Sequence, residues 1–225
     1  MRKPDGSSWF FAARPGSPVD VGKEGKTSLP LLLGALASPS QGLRVAAALS
    51  IGDLGVRVKA ARLLGRSGVR SEGIADAYRE GLNGLREGAD WIGCEVPRDA
   101  ARGLAEMGPA ARGAVPDLEG CLEMPDQDLR VLAANALWKV AGLRRLEPLV
   151  EALEAAADEP VPLYGSPARL PPALELGKEA ASTLAAMGPR AAGALPALER
   201  AIASPGARPI RGDLEQASRT IGGPR

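Results

Sequence analysis

The feature that most constrains this chain is an internal repeat. Ala101–Glu119 reads ARGLAEMGPAARGAVPDLE, and 80 residues later Ala181–Glu199 reads ASTLAAMGPRAAGALPALE. A fixed offset of this length, divisible into two units of about 40, marks an array in which one supersecondary unit is stacked on the next. The unit between the two copies is also legible. Asp128–Leu137 opens one helix, and Leu143–Ala157 reads as a second, with Leu146, Leu149, Val150 and Leu153 at helical spacing. Each unit is therefore a helix, a tight turn and a helix.

Turn chemistry agrees. Gly108-Pro109 and Gly188-Pro189 follow the first helices. Glycine accepts a left-handed backbone past a helix end, and proline opens the next helix, where its missing N–H costs nothing. Pro116 and Pro196 fall within the second helices, so they either kink them or mark their true start after a short lead-in. Only 3% of the residues are aromatic, and Ala and Leu dominate the apolar set, which suits helices packed closely in thin layers. With Gly 28 and Pro 20 the helices must be short.

Three segments depart from the period. Residues 1–27 are rich in Gly, Pro, Ser and charge and read as a flexible arm. The array is expected over 28–222, with residues 223–225 as a tail. A Pro-rich loop at 158–172 interrupts it, and repeat proteins project such insertions from one face. Arg44 and Arg57 are too close for two full hairpins, so the register between Leu43 and Gly68 stays open. Asp213–Ile221 reads as another first helix, with Gly223-Pro224 as the turn that would start its partner.

Much chemistry is removed at the outset. The chain has no histidine, which excludes the commonest general base and metal ligand and every Ser-His or Cys-His nucleophile. Cys94 and Cys121 show neither metal-ligand spacing nor a disulfide framework. No phosphate-binding Gly motif is present. Carboxylate pairs such as Glu87 with Asp90, beside Trp91, or Asp117 with Glu119, read as solvated helix-surface groups. No metal and no cofactor is therefore expected. The balance of 28 basic and 27 acidic residues gives no global argument for nucleic acid or an acidic membrane. No apolar run is long enough for a membrane span, and Trp9–Ala13 is too short for a signal core, so a cytoplasmic protein is the expectation.

The units resemble HEAT repeats, in particular the bacterial class related to phycobilisome-lyase-type repeats. The resemblance rests on Pro125–Leu137 and Pro39–Ala48 as turn and first helix, on the Ala-x-x-Leu-x-x-Met-Gly-Pro runs, and on Ala114–Leu118 and Ala194–Leu198 as second-helix cores. It implies an all-α, right-handed α-α superhelix (HEAT-like α-solenoid) of about five helical hairpins. It says little about function, because the shared residues are packing residues.

The resulting expectation is a scaffold or adaptor, not an enzyme, that binds a protein or peptide on a concave face lined by second helices. The candidate contact residues are Arg112, Arg144, Arg145, Glu151, Arg190 and Arg200, with Tyr164 in the Pro-rich loop as an aromatic anchor. Both signs of charge favour a polar protein ligand over a polyanion. Arg44, Arg57 and Arg130 are expected to form a structural ladder with the adjacent unit. Two other classes are carried: a lyase-like or enzyme-accessory protein, which would need an accessible Cys94 or Cys121, and a nucleic-acid binder, which would need a continuous basic stripe.

Overall fold

The computed structural model describes residues 58, 61–62, 72–83, 95–161 and 170–223. The chain divides into two compact units, Met1–Gly103 and Leu104–Arg225. Every regular element among the described residues is helical.

In the first unit, α1 spans Glu72–Asn83 and α2 spans Glu95–Met107, the latter running across the division. α1 buries Ile74, Ala75, Tyr78 and Leu82, a helical stripe. Backbones approach closely here. A Cβ on Gly81 would lie 2.8 Å from Val58 Cγ2 and 3.0 Å from Ala100 Cβ, so the small residue sets how near the helices come. Arg62 and Asp99 close this packing with an ion pair at 2.5 Å.

The second unit is a row of hairpins. After α2, a 3-10 turn over Gly108–Ala114 leads into α3 (Val115–Cys121). The next hairpin is α4 (Gln127–Ala141) and α5 (Glu147–Ala157). The third is α6 (Pro172–Met187), a 3-10 turn over Gly188–Ala194 and α7 (Leu195–Ala203). A short 3-10 turn, Arg208–Ile210, then starts α8 (Arg211–Gly222). The first helices α4, α6 and α8 touch in sequence, and the second helices α5 and α7 touch each other, giving the two layers of a HEAT-like array.

The repeat is a repeat of burial. Leu104, Met107, Ala111, Ala114, Leu118 and Cys121 are all buried, and so are Leu184, Met187, Ala191, Ala194, Leu198 and Ala201, their counterparts 80 residues on. Each fully buried leucine contributes about 1.5–3 kcal/mol relative to exposure. The seam continues into α8, whose Leu214, Ala217 and Ile221 join the same apolar cluster as Leu149, Leu153 and Leu184. Between α5 and α6, a Cβ on Gly177 would lie 2.6 Å from Ala156 Cβ, so glycine permits that contact.

The turns refine the reading from sequence. Gly108 and Gly188 do take positive φ, +60° and +58°. The prolines at 109 and 189 open 3-10 turns rather than α-helices. Pro116 and Pro196 lie in the first turn of α3 and α7, so the helices start there and are not kinked. α5 begins at Glu147 instead of Leu143. Gly142 (φ 67°, ψ 17°) ends α4, and Pro148 in the first turn sets the later start. Asp126 caps α4, its carboxylate accepting from the Asp128 N–H at 3.1 Å. Pro172 belongs to α6, so the Pro-rich loop is one residue shorter than expected. The flexible arm, the crowded segment between Leu43 and Gly68 apart from Val58, Ala61 and Arg62, and the middle of the Pro-rich loop lie outside the described residues.

Candidate protein-binding surface

All seven residues singled out as contact candidates fall in the second unit, and the structure describes six of them. Tyr164 lies outside the described residues. Arg112 is exposed on the 3-10 turn before α3. Arg144 and Arg145 lie in the α4–α5 turn. Arg145 Nη2 pairs with Glu119 Oε1 of α3 at 2.5 Å, with both side chains less than half exposed. Arg144 Nη1 donates to the carbonyl of Arg190 at 2.8 Å, reaching the turn of the following hairpin. The Arg190 guanidinium stands 5.6 Å above the Trp138 ring. Arg200 on α7 reaches Asp158 at 3.2 Å and Glu154 at 3.8 Å, both at the end of α5.

Three of the candidates thus serve the array itself. Arg145, Arg144 and Arg200 link α3 to the α4–α5 turn, that turn to the next, and α5 to α7. Partly exposed pairs of this kind add little to stability singly. What they do is tie the polar side of each hairpin to that of the next. Beside the charges stand apolar positions: Pro116 and Pro196 are exposed, while Val150, Leu195 and Ile202 are half-buried.

Arg130 corrects the ladder expected from sequence. Its Nη2 pairs with Glu151 Oε2 at 2.8 Å, so it ties α4 to α5 inside one hairpin rather than joining adjacent units. Length explains this, since Glu151 one turn into α5 faces the first turn of α4 within reach of a guanidinium. Glu151, a candidate contact residue, is therefore engaged. Arg44 and Arg57 are outside the described residues.

Sequence reasoning missed the link between α4 and α6. Asn135 is buried and its Nδ2 donates to Glu179 Oε1 at 3.1 Å, while the buried Thr183 hydroxyl donates to the Glu179 carbonyl at 2.9 Å. A polar residue inside the Ala/Leu run of α4 was the available signal. Cys121 is buried at the end of α3, and Cys94 is outside the described residues. Among the described residues no group of three or more Cys, Asp or Glu side chains is placed to hold a metal ion. Nor is any helix among them long and apolar enough to cross a membrane.

No family model and no curated protein matches the chain. A solved structure that resembles it is the complex of CpcE and CpcF of phycocyanin lyase from Nostoc sp. PCC7120. The identity is 26% over 96% of this chain and 70% of that one, with a TM-score of 0.48. Because that neighbour is a lyase, the expectation that this chain is not an enzyme does not stand. The paired helices, Gly-Pro turns and 80-residue recurrence of buried positions make the described residues an all-helical array that resembles HEAT repeats.

Proposed function

We propose that the second unit binds a protein partner on the face formed by α3, α5 and α7. One observation carries this reading. Arg145–Glu119 and Arg200–Glu154/Asp158 join these helices across hairpin boundaries, so their outward groups are held in place before any partner arrives. A surface already ordered loses little side-chain and backbone freedom on association, and that cost is a main reason interfaces of equal area differ in affinity. The composition suits the role. Arginine and proline share these elements with half-buried Val150, Leu195 and Ile202, which pack against the core and leave part of their apolar surface in reach of a partner. The mixture of signs favours a polar protein surface.

The test is photo-crosslinking in the native lysate. A photoreactive amino acid replaces Val150 or Pro196 on the second-helix face, or Glu175 or Lys178 on the first-helix layer. A discrete adduct from the first pair and none from the second is the expected result. Adducts from the first-helix positions alone would sink the reading.

A further inference from the structure

The hairpin turns form a continuous edge, distinct from the faces of the second helices. A Cβ on Gly108 would sit 3.7 Å from the Lys139 carbonyl, bringing the first turn to the end of α4. A Cβ on Gly193 would sit 3.4 Å from Leu146 Cδ1, and Arg144 bonds the Arg190 carbonyl, joining the second turn to the third. Three successive turns therefore each touch the neighbouring hairpin, and packed helices of this kind stand about 8–10 Å apart.

Arg112, Lys139, Arg144 and Arg190 are exposed along this edge. None of the four is paired with a carboxylate among the described residues. Arg130, Arg145, Lys178 and Arg200 of the same unit each face an acid, whereas Arg208, Arg211 and Arg219, which share the lack of a carboxylate partner among the described residues, lie on the last 3-10 turn and α8. Two of the four are also held in place. Arg144 is anchored to a neighbouring carbonyl, with four of its five guanidinium N–H groups left for other partners, and Arg190 lies over the half-buried Trp138. Cations fixed at the interval of the hairpins, without counter-charges of their own, fit a ligand that supplies carboxylates at that interval.

We infer that this turn edge is a docking strip for an extended acidic segment of a partner protein. An extended chain rises about 3.3 Å per residue, so acids at every third position recur at about 10 Å, the spacing of the turns. A nucleic acid fits less well. Glu147, exposed at the start of α5 and three positions after Arg144, puts a negative charge next to the strip that disfavours a continuous polyanion. This inference rests on the reading of the second unit as a protein-binding surface, and it adds where an acidic stretch of the partner would lie.

The test uses the full chain and a labelled twelve-residue peptide with Glu at every third position and Gly and Ser between. Binding is followed by fluorescence anisotropy at low salt. The double variant Arg112→Glu/Arg190→Glu is compared with Lys178→Glu/Arg208→Glu, which changes net charge equally but lies off the strip. Thermal melting by circular dichroism verifies that both fold. The expected result is a Kd raised about tenfold or more by the first variant and less than about twofold by the second, with affinity falling as salt rises. Equal weakening by both variants, or no binding to the wild-type chain, would overturn the strip. Tighter binding of a single-stranded oligonucleotide of equal charge, lost in the same variant, would overturn the assignment to a peptide. If the strip fails while crosslinks from Val150 or Pro196 persist, the second-helix reading stands without it.

Discussion

Gly103 on α2 lies flat against the ring of Tyr78 on α1. A Cβ built on the glycine would run into Tyr78 Cζ, well inside contact distance. Tyr78 is fully buried, so the ring has no free space to move into. Gly103→Ala should therefore destabilise the chain by about 1–3 kcal/mol, the usual cost of overpacking. Gly113→Ala is the control, since nothing lies within 4 Å of the Cβ it would add. It should be neutral or slightly stabilising, because it narrows the unfolded ensemble. Urea midpoints of the two variants check this. Equal midpoints would mean that α1 and α2 do not pack as described.

Leu104 and Leu184 occupy corresponding positions of the repeat and are both fully buried. An aspartate at either place puts a carboxylate into an aliphatic seam with no partner, and its solvation cannot be recovered inside the array. Leu104→Asp and Leu184→Asp should each cost more than about 4 kcal/mol, enough to unfold a marginally stable domain. The loss of helical ellipticity on heating is the measurement. A variant that melts with the wild type would show that the helix carrying it is turned differently.

The repeat made much of this legible. Leucines and alanines recurring 80 residues apart prescribe the same buried stripe twice, and a hairpin has only one way to bury it. The helix expected over Asp213–Ile221 is α8, Arg211–Gly222, and its Leu214, Ala217 and Ile221 continue the buried stripe. What escaped the sequence was anything decided between hairpins. Arg145 meets Glu119, 26 positions earlier, and Arg200 meets Asp158, 42 positions earlier. No local pattern encodes such pairs, since they depend on how far one hairpin is rotated on the next. Arg112, Arg144, Arg190 and Arg200 are exposed, but Arg144, Arg145, Glu151 and Arg200 are each engaged with a neighbouring element of the array. The 3-10 turns were missed because Gly-Pro specifies where a helix stops and says less about the pitch of the segment after it.

Two glycines that each end a first helix should respond differently to asparagine. Gly142 has φ 67° and ψ 17°, the left-handed region that asparagine also adopts. Gly188 has φ 58° but ψ −141°, a region nearly reserved for glycine. Gly142→Asn should cost less than about 1 kcal/mol, while Gly188→Asn should cost about 1–3 kcal/mol. Neither position is crowded, so the difference isolates backbone conformation from packing. Denaturation midpoints that move together would contradict the turn geometry at Gly188.

The Arg145–Glu119 pair allows the stiffness of the second-helix face to be measured separately from its stability. Its side chains are 40% and 43% exposed, so solvent screens the attraction and little net energy is expected. A double-mutant cycle with Arg145→Ala and Glu119→Ala should give a coupling of only about 0.2–1 kcal/mol. In 1 M salt, where the screening length is about 3 Å, the coupling should shrink further. If the role is to order the surface, amide hydrogen exchange in the turn around Arg144–Leu146 should quicken in Arg145→Ala by more than the drop in global stability explains. Glu119→Ala should give the same local signature, since either substitution releases the same turn. Exchange that rises uniformly across the unit would mean that the pair contributes only to overall stability, and the fixed face invoked for partner binding would lose its physical basis.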